Sequence, residues 1–386
     1  MKWLTAILAI IVLWLVGFGI SVQASISNVQ GMNVSGNPTH FLFQQILYFV
    51  IALIGCIAIA AINPEFWSKR RMVFPFVLFI VLALLSVHVP GVGRATKGST
   101  RWIYLFGLSL QPSEFVKIIA ILLMAWWQGR AGCRNHEFKD GVLIPAIGIG
   151  VIVIGFLSQP DFGSAIMMCA ICGPMILVGG GRLKHVMPLG FLAVAVIAVL
   201  VWHDPERRSR VRSVFDVSRE AVEHDDDDSY QLRQSLSALE SGGLKGIGFG
   251  NSVFKQDYLP ENHTDFVFAM IGEEWGFCVA LACLILFWLL LLCGTIISLR
   301  APTAYLRLLV FGMTLHIGLS AAVNLGVVTG VLPTKGLALP FLSYGGSNLV
   351  SSLAAIGFIL AVGWRCPPRP AQPRSSCDPD RKVWIS

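Results

Sequence analysis

Charge is what this sequence has least of. Only 13% of its 386 residues are Asp, Glu, Lys or Arg, against about 25% in an ordinary soluble domain. Meanwhile 55% are hydrophobic and the mean hydropathy is +0.70. So few charges cannot clothe a water-facing surface of this size, which excludes a soluble globular protein and indicates an integral membrane protein. Long polar stretches are also scarce. Only residues 203–264 interrupt the apolar runs at length, so no large independent soluble domain fits between them and the chain reads as one integral domain, residues 1–364. The remaining residues, 365–386, hold several prolines and both signs of charge, and read as a disordered cytoplasmic tail.

Ten apolar runs recur, at 3–20, 41–62, 73–89, 113–127, 142–158, 163–180, 186–202, 266–297, 308–330 and 346–363. The fold class expected is therefore all-α integral membrane, with about ten transmembrane helices and a large loop between helices 7 and 8. The fourth run is short and contains Lys117; it could be partly re-entrant or extend into the amphipathic stretch from Trp102 to Leu110. The first run has a second reading as a cleaved signal peptide, because Lys2 precedes it and Val22-Gln23-Ala24 resembles a cleavage site. Retaining it gives an even number of spans and puts both termini on one side.

Basic residues orient the bundle. Sixteen Lys and Arg fall on the side of the termini and four, Arg94, Lys97, Arg101 and Lys335, in the short loops opposite. Short cytoplasmic loops are the ones enriched in Lys and Arg, so the N and C termini are expected to be cytoplasmic. The formal charge of +7 thus reflects topology, and nucleic-acid binding is not indicated. The nine cysteines lie in spans or on the inner side, where disulfides are not expected. Cys169 and Cys172 match C-x-x-C, but within an apolar span they read as small hydrophobes.

The loop 203–264 faces outward on this topology, and it is acidic, with twelve carboxylates against eight basic residues. Asp225 to Asp228 reads as a solvated charge run, with a divalent-cation site as the alternative. Residues 241–252 are glycine-rich. With no strand before them they do not make a dinucleotide motif, and they read as a tight loop able to bring backbone N–H groups close to a ligand.

Ionisable side chains at the edge of a span are costly and therefore suggest function. Glu114 and Lys117 open the fourth run, Asp161 sits at the hairpin between the fifth and sixth, and Asp265, Glu273 and Glu274 open the eighth. All fall near the outer half of the membrane, where they could line one outward-facing cavity. Pro112 suits a first helical position, which places Glu114 where the helix dipole favours a carboxylate, and Lys117 lies three residues on, on the same face. An ion pair between them accounts for both nearly as well as a substrate site does. On an unbroken helix Glu273 would lie about 80° round from Asp265 and about 12 Å deeper, the likelier companion, with Glu274 pointing away. Lys255, Glu261, His263 and Asp265 gather cations, carboxylates and an imidazole where a polar loop meets the membrane, as a phosphorylated lipid substrate would require.

Four separated motifs carry a resemblance. Gln111-Pro112-Ser113-Glu114 after Arg101-Trp102, the hairpin 159–163 (Gln-Pro-Asp-Phe-Gly), residues 259–266 (Leu-Pro-Glu-Asn-His-Thr-Asp-Phe), and Leu332-Pro333-Thr334-Lys335-Gly336 followed by 340–347 (Pro-Phe-Leu-Ser-Tyr-Gly-Gly-Ser) resemble the SEDS family (shape, elongation, division and sporulation) over essentially all the spans. Tyr230-Gln231, Gln234-Ser235 and Gly246-x-Gly248-x-Gly250-Asn251-Ser252 leading to Lys255 look more like its division branch than its elongation branch. The acidic stretch before Tyr230 departs from the usual pattern, lacking the Trp-Pro and Gly expected there.

The resemblance implies a peptidoglycan glycosyltransferase of the bacterial inner membrane, working at the periplasmic side on lipid II. It also implies a class B penicillin-binding protein as transpeptidase partner, among other divisome proteins, with membrane lipid around it. Asp265 matches the family's essential aspartate and is expected to be the catalytic base. Lys255 and Arg101 would hold pyrophosphate; Glu114, Lys117, Asp161, Glu261, His263, Glu273, Asn324, Ser343 and Ser347 would shape or bind the substrate. No cofactor is certain from the sequence, and a divalent cation such as Mg or Mn could assist. Asn324 and the stretch from Pro333 to Ser347, irregular backbone at membrane depth, would line the same cavity unless they form an ordinary outer turn. Two other functions fit the composition: a lipid II flippase or transporter, against which stands the lack of matching inverted halves, and a non-catalytic scaffold that recruits a transpeptidase.

Overall fold

A computed structural model describes residues 1–89, 93–96, 99–105, 108–130, 135–205, 208–209, 227–254, 264–333 and 336–367. Each of the ten expected runs is helical: α1 (Lys2–Ser35), α2 (His40–Ala61), α3 (Val73–Ser86), α4 (Pro112–Gln128), α5 (Ile144–Ser158), α6 (Phe162–Val178), α7 (Leu183–His203), α9 (Val267–Arg300), α10 (Ala304–Val328) and α11 (Gly346–Arg365). An additional helix, α8 (Asp227–Gly242), lies in the polar loop. Seven helices are long and apolar enough to cross a bilayer: α1, α2, α5 with the π turn Phe138–Leu143 that leads into it, α7, α9, α10 and α11. The other three are shorter, α4 and α6 having 17 residues and α3 only 14, the last about 21 Å long.

Local sequence explains several helix ends. Pro112 stands at the start of α4, as expected, and α4 is one unbroken helix rather than a re-entrant one. The Asp161 side chain caps α6 by accepting from the Ser164 N–H, and Thr303 caps α10 through the Leu306 N–H. Helix α1 continues far past residue 20 and closes on Gly36 in the left-handed region, φ 68°, whose N–H reaches Met32 O. Val22-Gln23-Ala24 is thus helical, with Val22 and Gln23 fully buried.

Helices α10, α11 and α4 form the centre, and α2 and α1 pack on α11 and α9. In hydrocarbon such packing rests on close contact, which small residues permit. A methyl group on Gly346 would fall 2.2 Å from the Tyr48 ring of α2, and one on Gly357 would fall 2.8 Å from Cys56 O. No side chain of α7 is buried, and among the described elements it packs mainly on α6 and the π turn.

Two features depart from the expected architecture. The stretch after α3 is not an amphipathic helix but a three-stranded antiparallel sheet, β1 (Gly93–Thr96), β2 (Ser99–Leu105) and β3 (Leu108–Leu110), pairing in that order. β2 is rich in the aromatic and β-branched residues that favour strands (Thr100, Trp102, Ile103, Tyr104), a signal stronger here than any helical period over so short a run. And the outer polar loop is not free of the bundle. Leu232 and Ala238 of α8 are fully buried, and Ser235 donates to Val328 O at 2.9 Å.

Candidate functional site

The sheet and the starts of α4, α6, α9 and α11 meet at one end of the bundle. Helix α9 is interrupted there. Gly276 has φ 79° and ψ 175°, so the helical ladder stops and restarts across it. The glycine-rich segment after α8 repairs the break. Ile247 N–H donates to Glu273 O and Gly248 N–H to Glu274 O, both at 3.0 Å, while Phe277 N–H donates to Gly243 O at 2.9 Å and Cys278 N–H to Leu244 O at 3.4 Å. Two carbonyls and two amides beside the break thus find partners on the loop, as a low-dielectric setting demands. The two backbones touch: a methyl on Gly246 would fall 2.3 Å from Glu274 O. This corrects the expectation for residues 241–252. The amides of residues 247 and 248 close on the helix and do not face a ligand.

The break also alters the fate of the acidic pair. Glu273 is fully buried and is not a companion of Asp265. Its carboxylate accepts from Ser252 Oγ at 2.5 Å, Val253 N–H at 2.8 Å and Phe254 N–H at 3.5 Å, so it pins the chain just before residue 255. Helical arithmetic from Asp265 fails because Asp265 sits in the turn before α9, not in the helix. Glu274 points the other way, to α1, where Ser25 Oγ donates to its Oε1 at 2.7 Å.

Asp265 is half-buried in the turn that leads into α9. Asn324, 1% exposed on α10, donates from one Nδ2 to Asp265 O at 2.8 Å and to Leu337 O at 2.7 Å. It therefore ties the acid's backbone to the loop between α10 and α11. That loop enters the bundle: Leu339, Phe341 and Leu342 are buried, Gln23 of α1 donates to Leu342 O, and Gln45 of α2 to Ser343 O. Its Gly336 faces the carboxylate so closely that a methyl there would lie 2.9 Å from Asp265 Oδ2. Leu337 reaches the neighbouring hairpin, where a methyl on Gly163 would be 3.4 Å from it and 3.8 Å from Asp161 Oδ1. So the loop is the wall between Asp265 and Asp161, more than an ordinary outer turn.

On the other side of that wall lies a connected polar set. Lys117 Nζ and Glu114 Oε1 are 2.7 Å apart, nearly fully buried, and Ser351 of α11 donates to Glu114 Oε2 at 3.2 Å. Gln111 donates from its side chain to Asp161 Oδ2 at 3.3 Å and from its backbone to Ser347 Oγ at 2.7 Å. Arg101 Nη2 donates to Pro160 O, fastening the sheet to the hairpin. Ser343 and Ser347, expected at the substrate, serve the backbone: Ser343 Oγ accepts from Leu339 N–H at 2.8 Å, and Ser347 joins α11 to α4. Burial first, then Tyr48 and Tyr104, push the Tyr344 phenol above its ordinary value, so it donates as a neutral group to Gln44 Oε1 at 2.5 Å.

Sequence reasoning missed Gly336, Ser351 and His316. Gly336 stood inside a quoted motif, and Ser351 follows Ser347 by four on one helix face. His316 of α10 is 1% exposed with no hydrogen bond to either ring nitrogen, and nothing in the local pattern marks it. Lys255, Glu261, His263 and Lys335 lie outside the described residues, as do Asp225 and Asp226 and the tail beyond residue 367. Among the described residues no three His, Cys, Asp or Glu side chains converge as metal ligands.

Residues 5–365 match the family model FtsW/RodA/SpoVE, described as cell cycle protein. The chain is 36% identical over 348 residues to a probable peptidoglycan glycosyltransferase FtsW of Geobacter sp. (strain M18), covering 90% of this chain and 93% of the relative. A chain of a peptidoglycan synthase complex, described as coordinating polymerization and crosslinking, superposes with a TM-score of 0.71 at 26% identity over 92% of this chain and 96% of that one. The rod shape determining protein RodA of Thermus thermophilus superposes at 0.64 and 27% identity, covering 92% and 95%.

Proposed function

The chain belongs to the FtsW/RodA/SpoVE family of cell cycle proteins and is a peptidoglycan glycosyltransferase, and we propose that it polymerises lipid II into glycan strands, with Asp265 as the base. The observation that carries the assignment of Asp265 is its mounting: a half-buried carboxylate in the turn before α9, its backbone held by Asn324, its side chain against a glycine that leaves it room.

A β-1,4 link made from an α-linked sugar pyrophosphate requires inversion. The acceptor hydroxyl attacks the anomeric carbon in line, the new C–O bond forms as the bond to pyrophosphate breaks, and Asp265 takes the hydroxyl proton. Undecaprenyl pyrophosphate leaves with its negative charge and needs no strong general acid. A positioned base of this kind is worth about 10² to 10⁴ in rate. Arg101 and Lys255 are the cations assigned to the pyrophosphate. Glu114 and Lys117 neutralise each other, which suits them to holding α4 and α11 in register beneath the substrate.

The distribution of Lys and Arg supports cytoplasmic termini, hence a periplasmic site in the inner membrane. Relatives named FtsW support a role in division, and the likeness to a chain of a synthase complex supports a class B penicillin-binding protein as partner.

The test is glycan synthesis by the purified full chain supplied with lipid II, with and without the transpeptidase and with and without a chelator. Asp265→Asn is expected to abolish polymer. A variant retaining more than about a tenth of wild-type rate would refute the base assignment, since a general base is worth at least about 10².

A further inference from the structure

The end of the bundle opposite Asp265 holds a cavity of about 260 Å³, lined by Glu65, Ser68, Trp126, Gly129, Arg130, Thr303 and Tyr305. It forms where the turn after α2, the last turn of α4 and the first turn of α10 converge. Beside it the end of α4 packs bare backbone on α10: a methyl on Gly129 would lie 2.6 Å from Tyr305 Cα and 2.7 Å from its N, so a larger residue would push the two elements apart.

Three polar groups in it are uncommitted. Tyr305 is 6% exposed and its phenol oxygen has no hydrogen-bond partner, an expensive state for a buried hydroxyl. Arg130 rests its guanidinium on Trp126 and Trp127, 4.9 and 5.1 Å from the ring centroids, which fixes the group while leaving its N–H edge for another partner. Glu65 is exposed and makes no ion pair with Arg130, although both line one cavity. Ser68, by contrast, is already bonded to Glu65 O, and Thr303 caps α10.

A guanidinium, a phenol and a helix N-terminus together suit a phosphate. A carboxylate in the same lining suits an ammonium and repels a purely anionic ligand. We propose that this cavity binds a zwitterionic aminoalkyl-phosphate group, as carried by phosphatidylethanolamine. Its volume falls just under the lower end, about 300 Å³, of small-molecule pockets, which suits a headgroup. Its surroundings favour a lipid as the source: Trp126 lines it and pairs with Trp127, Phe66 and Trp67 lie between the lining residues Glu65 and Ser68 in the chain, Lys69 and Arg71 lie over Phe66, and the adjoining α3 exposes Phe74, Val77 and Leu78.

The probe is native mass spectrometry of the full chain in detergent, titrated with phosphatidylethanolamine, with phosphatidylglycerol, or with free phosphoethanolamine. Wild type is expected to retain one phosphatidylethanolamine at least tenfold more tightly than phosphatidylglycerol. Arg130→Gln should weaken both lipids about tenfold, Glu65→Gln should erase the preference while still holding phosphatidylglycerol, and Tyr305→Phe, which keeps the packing, should weaken both. Free phosphoethanolamine bound as tightly as the lipid, with the same variant pattern, would support the same chemistry from a soluble source. Wild type that does not discriminate the two lipids, or variants that bind like wild type while melting at its temperature, would overturn the proposal.

Discussion

Three glycines of the segment after α8 share a positive φ, 79° at Gly246, 101° at Gly248 and 80° at Gly250, but differ in what a side chain would meet. At Gly250 there is nothing within 4 Å, and at Gly248 only Asn251 Nδ2 at 3.0 Å, the end of a flexible side chain. At Gly246 the methyl would strike backbone, Glu274 O at 2.3 Å and Glu274 C and Trp275 C at 2.6 Å. Alanine at Gly250 should therefore cost only the left-handed strain, about 1–2 kcal/mol. Gly246→Ala adds the loss of the splice. If only the bonds to Glu273 O and Glu274 O break, two buried carbonyls are orphaned at about 1–3 kcal/mol each, for a total of about 3–8 kcal/mol. Gly248→Ala should fall near Gly250→Ala. Unfolding of the detergent-solubilised protein by titration with sodium dodecyl sulfate measures the series. Equal costs for Gly246→Ala and Gly250→Ala, within about 0.5 kcal/mol, would refute the claim that the loop repairs the helix.

Gly336→Ala puts a methyl against the Asp265 carboxylate; kcat for glycan synthesis should drop at least about tenfold with the melting temperature little changed, since small misplacements of a reacting group are costly. Asn324→Ala leaves Asp265 O and Leu337 O without their shared donor, at about 1–3 kcal/mol each, and should lower kcat more than it raises KM for lipid II. Glu114→Gln or Lys117→Met alone orphans a buried charge and should cost about 3–5 kcal/mol in the same titration, whereas the double variant should cost less than either, and a sum of the two would rule out the pairing.

Hydrophobic runs and caps made most of the bundle legible. The Glu114 and Lys117 pair was readable too, because a spacing of three on one helix face needs no tertiary knowledge. Long-range backbone pairing was not. The period of α9 runs unbroken through Gly276 in composition, and only the loop some thirty residues upstream explains why the ladder can open there. For the same reason Glu273 reads as a cavity acid from helical geometry, when its oxygens belong to residues 252–254. Ser343 and Ser347 look like ligands in a polar motif, yet an inserted loop must first satisfy its own amides.

The interruption at Gly276 has a mechanical corollary. Val267 to Trp275 form a short stub, and its hydrogen bonds across the gap run to the loop after α8 rather than down the lipid-embedded shaft. The same loop also holds the Phe277 and Cys278 N–H groups of the shaft, so bending or twisting of the shaft passes to the stub, and to the turn that carries Asp265, through residues 243–248 rather than through one continuous helical ladder.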